Sequence, residues 1–186
     1  MVRNLAILFA FITLYGCQPT KEDGSPIKPV NVSLGSYTTA GLSQFLIPSA
    51  YAAVSDLRLC FKRLRFKKDV SDIADPLLDE NVDLNLGEVA ITSGGKSLSV
   101  VNIPADTYYR IEFDLEPTCA GKSAYLTNDF GVYSSTENIK IKFNGVFVVD
   151  GSETLVLGVQ DILNAANAHR GTSSLRTSLE SISGSF

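Results

Sequence analysis

The chain reads as an all-β protein, an antiparallel β-sandwich of seven to nine strands with a short C-terminal helix. Three observations predict this. From Val54 onward apolar residues recur mostly at every second position, which is the period of a strand with one buried face. Turn-forming clusters interrupt that pattern at short intervals, as in "TSGGK" (92–96), "PAD" (104–106) and "PTCAGK" (117–122). No repeated alternation of strand and helix supports a parallel α/β sheet. A closed barrel is the runner-up architecture.

Taken in order, the apolar stretch "GLSQFLIPSAYAA" (41–53), broken by Pro48, suits either an edge strand or a short helix. Leu57, Leu59 and Phe61 then share one face, with Arg58, Cys60 and Lys62 on the other. Leu64 and Phe66 continue on the opposite parity, which predicts a β-bulge near Lys62–Arg63. The basic run "FKRLRFKK" (61–68) is thereby dispersed over a solvated sheet face. "VSDIADPLLDEN" (70–81) is an acidic loop. With Asp69 before it, Asp72, Asp75, Asp79 and Glu80 offer oxygens of the kind calcium takes. The spacing does not match an EF-hand and Pro76 interrupts it, so a plain solvated loop is the expectation.

Val82, Leu84 and Leu86 alternate, as do Val89 and Ile91, and Gly94-Gly95 suits a tight hairpin into "SLSVVNI" (97–103). The clearest strand is "TYYRIEFDLE" (107–116), with Tyr109, Ile111, Phe113 and Leu115 inward and Tyr108, Arg110, Glu112 and Asp114 outward. "SAYLT" and "FGVYS" are shorter strands; "ENIKIKFNGVFVVDGSETLVLGV" (137–159) is a long hairpin or pair of hairpins. "QDILNAANA" (160–168) suits a short helix, and Leu175, Leu179, Ile182 and Phe186 recur at helical spacing in a Ser-rich tail.

The N-terminus carries the most specific signal. Arg3 precedes the apolar run "LAILFAFITLYG", which ends at Cys17. That run is too short to cross a bilayer, which needs roughly 20 residues, but it has the length of a signal-peptide core. Leu14-Tyr15-Gly16-Cys17 resembles the lipobox of bacterial lipoproteins. The resemblance implies cleavage after Gly16, diacylglycerol on the Cys17 sulfur and acylation of the new amino terminus. Several acyl chains anchor stably, at about 0.8 kcal/mol per buried methylene. By the same family rule, Gln18 after the cysteine implies the outer membrane. The expected organisation is a signal peptide (1–16), a lipid anchor and flexible tether (17–40) in which "VNVSL" leaves a strand open, a sandwich (41–170) and a tail or helix (171–186).

A second resemblance covers 82–116, "VDLNLGEVAITSGGKSLSVVNIPADTYYRIEFDLE". Its leucine-bearing strand, hairpin, turn and Tyr-x-x-Ile strand are similar to uncharacterised bacterial lipoprotein domains of prealbumin-like β-sandwich type. This implies a prealbumin- or immunoglobulin-like fold and an envelope location, not a reaction. With Cys17 lipidated, Cys60 and Cys119 remain, and an even pair in an exported chain favours a disulfide over two free thiols or an intermolecular link.

Composition narrows the function further. The 186 residues are 45% hydrophobic with a formal charge of −4, and removal of 1–16 takes away Arg3 alone, leaving 15 bases against 20 acids, or −5. An acidic chain without a concentrated basic footprint is a poor nucleic-acid binder. His169 is the only histidine, so it alone could be the base of a Ser-His-Asp arrangement, and nitrogen–sulfur zinc ligation lacks ligands. No metal or cofactor is expected. Glu112 and Asp114 on one strand face could suit paired-acid hydrolysis, although alternating charges on an exposed strand look the same.

Outward Tyr108, Arg110, Tyr125 and Tyr133 are the candidate binding surface, because tyrosine and arginine are enriched at binding sites. The expected role is non-catalytic: binding an envelope protein, or serving as a structural or adhesive subunit. The alternatives are a glycan-binding module using the tyrosines and, less expected, a carboxylate-dependent hydrolase.

Overall fold

The computed structural model describes Lys21 and residues 24–35, 54–69 and 79–185. Among them, ten strands and two helices follow in the order β1 (Ile27–Gly35), β2 (Val54–Lys67), β3 (Asp79–Ala90), β4 (Lys96–Pro104), β5 (Thr107–Leu115), β6 (Ala124–Asn128), β7 (Gly131–Ser135), β8 (Ile139–Val148), β9 (Glu153–Gly158), α1 (Val159–Ala168), α2 (Leu175–Glu180) and β10 (Ser183–Ser185). They build a sandwich of a three-stranded sheet, β4-β1-β9, and a seven-stranded sheet. The residues 1–20, 36–53 and 70–78, which hold the lipobox, the apolar stretch 41–53 and most of the acidic loop, lie outside the described residues.

β2 organises the large sheet. Its first half pairs with β6, its second half with β5, and β3 runs along its other side. The register shifts between Phe61 and Arg63 against both β3 and β5. That is the bulge expected at Lys62–Arg63, and it lets Leu59, Phe61, Leu64 and Phe66 all face inward. The core is continuous across both sheets. Phe113 stands edge-on to Phe61 and Phe143 at centroid distances of 5.0 and 5.8 Å, and Phe66 packs 5.5 Å from Tyr108. Such aromatic pairs add about 1 kcal/mol each beyond their buried area.

Several expectations need correction. The tether does not extend to residue 40, because β1 is the middle strand of the small sheet, with Val30 and Val32 completely buried. The folded body therefore includes Ile27, with Pro26 just before the strand and Pro29 inside it, paired with Asn102 of β4. Nor does the body stop at 170: α2 buries Leu175 and Leu179, and β10 pairs in parallel with β8. The Gly94-Gly95 turn is formed, with Gly95 N–H donating to the Thr92 carbonyl at 3.1 Å. It does not close a hairpin, since β3 pairs with β2 in one sheet and β4 with β1 in the other. The stretch 137–159 likewise crosses between sheets: β8 pairs with β5, and β9 pairs in parallel with β1. α1 covers the predicted helix and adds Val159 at its start.

Candidate functional site

The outer face of the large sheet concentrates the polar side chains. Register places Asp83, Arg63, Asp114 and Lys140 in one row across β3, β2, β5 and β8. The next row is Asn81, Arg65, Glu112 and Lys142, and the third is Asp79, Lys67, Arg110 and Asn144. Opposite charges on neighbouring strands stabilise a sheet face. Arg65 Nη2 lies 2.6 Å from Asp114 Oδ2, and Arg110 Nη1 lies 3.4 Å from Glu112 Oε1. Lys140 Nζ is 3.6 Å from Glu112 Oε2, and Lys67 Nζ is 3.8 Å from Asp79 Oδ1. Arg110 also donates through Nε to Asn144 Oδ1 at 3.0 Å.

The expected solvated face is thus partly closed over. Glu112 is only 1% exposed, and Lys67 and Arg110 are buried. As a paired-acid site, Glu112 and Asp114 are compromised by their neighbours: Arg65, Arg110 and Lys140 occupy the carboxylates. The acidic residues of the 69–80 stretch that can be described are also engaged, Asp69 and Asp79 by Lys67 and Glu80 by Lys21. Among the described residues no group of three metal-ligating side chains converges.

The four residues of the candidate binding surface do not share a face. Tyr108 is fully buried in the core, its hydroxyl donating to the Pro104 carbonyl at 2.9 Å, while Tyr109 is exposed. The reason is a register shift between Tyr108 and Arg110 against β8, which turns both Tyr109 and Arg110 away from the core. Arg110 is on the outer face but buried within the charge lattice. Tyr133, expected outward, instead pairs with core residue Leu126 and packs edge-on to His169 at 4.4 Å, while Phe130 and Val132 are exposed.

Of the three tyrosines, only Tyr125 keeps its expected orientation. It stands on the outer face beside Arg58, its cross-strand partner, and Lys122. The Arg58 guanidinium and the Lys122 ammonium lie 5.7 and 5.0 Å from its ring centroid, within reach of cation–π attraction. Asp56 and Glu88 hydrogen-bond the Arg58 guanidinium and raise its pKa above the ordinary arginine value. Next to this cluster Cys60 and Cys119 form a disulfide with α-carbons 5.8 Å apart, which ties the β5–β6 connection to the face of β2 opposite the core.

His169 lies apart, just after α1. It is buried, with Nδ1 2.9 Å from Ser178 Oγ in α2. A hydroxyl beside an imidazole is half of a nucleophile–base arrangement, yet among the described residues no carboxylate touches the ring. Asn128 donates to the carbonyls of Ala166 and His169 at 3.0 and 2.9 Å, so the surroundings of His169 fasten the helices to β6. Burial first, and then the Arg170 charge, hold its pKa below the usual histidine value.

Sequence reading missed the charge lattice. Its alternating signs are visible in the strands, but its burial depends on which strands become neighbours. Comparisons with protein-family models, with curated proteins and with solved structures found no match.

Proposed function

We propose that this chain is a lipid-anchored protein of the outer membrane whose sandwich serves a non-catalytic binding, structural or adhesive role. The observation that carries the location is the lipobox-like Leu14-Tyr15-Gly16-Cys17, close in sequence to a body stapled by Cys60–Cys119. A stable disulfide suits an oxidising, extracytoplasmic compartment. The prealbumin-like lipoprotein resemblance of 82–116 points the same way. Diacylglycerol on Cys17 would confine the module to two dimensions and so raise its effective concentration towards a partner in the envelope.

On the body, the Tyr125–Arg58–Lys122 cluster supports a binding role, because a half-buried tyrosine beside two cations offers both apolar area and positive charge to a protein. The glycan alternative has lost its three-tyrosine platform, and the hydrolase alternative its free carboxylates.

The test is the intact mass of the protein extracted from native membranes. The expected species begins at Cys17, carries acyl mass and is lighter by two hydrogens for the bridge. An unlipidated chain beginning at Met1 would overturn the location and the function together.

A further inference from the structure

We propose that the sandwich is not held off the bilayer on a spacer but seats on it, through an apolar patch of Tyr109, Val146 and Val148. This rests on the lipid-anchor reading of Cys17. Lys21 is already fastened to the body: its ammonium pairs with Glu80 at the start of β3, its N–H donates to the Ser25 carbonyl at 2.9 Å, and its carbonyl accepts from the Gly24 N–H. Lys21 stands four positions after Cys17. Four steps of chain span at most ~14 Å. The acyl chains therefore begin within one strand-length of the body, at a defined end.

That end is identified by contacts. Ala105 N–H donates to the Pro26 carbonyl at 2.8 Å, joining the entry of β1 to the β4–β5 turn. Lys68, after β2, pairs with Asp106 of the same turn at 2.6 Å. Val149 N–H donates to the Asp106 carbonyl at 2.8 Å, which brings in the exit of β8.

Three of the large hydrophobics exposed on the body collect here. Val148 pairs with Thr107, and the register shift sets Tyr109 against Gly145 and Val146. Tyr109, Val146 and Val148 are 42%, 65% and 50% exposed. By contrast, Phe130 and Val132 sit at the β6–β7 hairpin, beside Val54 at the other end of β2, roughly 40 Å away by strand rise. A tyrosine flanked by valines suits the boundary between headgroups and acyl chains, where its ring is buried and its hydroxyl stays wet. Such a small patch would bind weakly alone. Tethered within ~14 Å of its target, it needs little affinity to stay down.

The chain contains no tryptophan, so a single introduced one reports its own surroundings. The lipidated full-length variants Val148→Trp and Val132→Trp are reconstituted into phosphatidylethanolamine–phosphatidylglycerol vesicles containing lipids brominated near the headgroup, and acyl mass is checked on the same samples. The expected result is blue-shifted emission from the Val148→Trp variant, quenched at least twofold by bromine, with emission from the Val132→Trp variant unchanged. Acylated protein with both tryptophans in water, or both quenched alike, would overturn the seating and leave the anchor intact. If the Val148→Trp variant escapes quenching in these vesicles and a photoreactive side chain at position 148 crosslinks to protein rather than lipid in native membranes, the seating falls in favour of a protein partner. Absence of acyl mass would remove the anchor and the seating with it.

Discussion

Arg65 and Asp114, diagonal neighbours on β2 and β5, meet at 2.6 Å in the partly closed middle of the outer sheet face. The same arginine lies 3.9 Å from Glu112, whose other neighbours are Arg110 and Lys140. One glutamate is therefore shared among three cations. Burying charge is tolerated only when it is paired. The lattice is a condition of closing this face rather than a large source of stability.

Glu112→Ala should therefore cost about 3 kcal/mol, because it strands partly buried cations without a counter-charge. Arg63→Ala, which breaks a more exposed pair with Asp83, should cost under about 1 kcal/mol. Urea unfolding midpoints of both variants, at low and high salt, test this. Equal losses, or a Glu112→Ala loss that vanishes in salt, would mean that the lattice is merely a surface feature.

Two glycines separate backbone strain from crowding. Gly87 has φ +68° with open space where a Cβ would be, whereas Gly95 has φ +74° and would place a Cβ 2.4 Å from the Leu34 carbonyl oxygen. Gly87→Ala should cost about 1 kcal/mol through the left-handed conformation alone. Gly95→Ala adds a collision with the end of β1 and should cost roughly 2–4 kcal/mol. Thermal melts of the two variants should rank in that order. A reversed order would place the turn elsewhere than against β1.

These residues also show what sequence could and could not reveal. The Phe61–Arg63 bulge was legible because two apolar runs of opposite parity adjoin within β2. α1 and the presence of β6 and β7 as strands were legible from local sequence, but the facing of β7 was not. The fate of Tyr108 was not, since it depends on where β5 slips against β8, a strand more than thirty residues away in sequence. Of β1, only "VNVSL" was open as a strand; Pro26 before it, Pro29 within it and a partner, β9, at the far end of the chain obscured the rest. The tyrosine platform failed for the same reason, because a face is defined by pairing and not by alternation alone.

The Cys60–Cys119 bridge closes a segment of 59 residues. By loop entropy it should contribute about 4 kcal/mol. Reduction, or the Cys60→Ser/Cys119→Ser pair, should lower the melting temperature without abolishing the sheets, because β2 and β5 remain paired through Leu64, Phe66, Ile111 and Phe113. Circular dichroism of the reduced protein checks both halves of this statement. Complete loss of strand signal at moderate temperature would show that the hydrophobic core is insufficient without the staple.

His169 makes stability depend on pH in a predictable direction. Burial and Arg170 lower its folded-state pKa below the unfolded value, which is about 6.5. The unfolded chain therefore binds the proton more readily. The histidine's contribution is fully present above pH ~6.5 and is lost as pH falls from there towards the folded pKa. His169→Gln can keep a hydrogen bond to Ser178 but carries no titrating ring. Wild-type protein should lose stability between neutral pH and the onset of carboxylate protonation, while the variant stays level over that interval. Urea titrations at closely spaced pH values would decide it: parallel curves for the two proteins would show that His169 contributes nothing to the pH dependence.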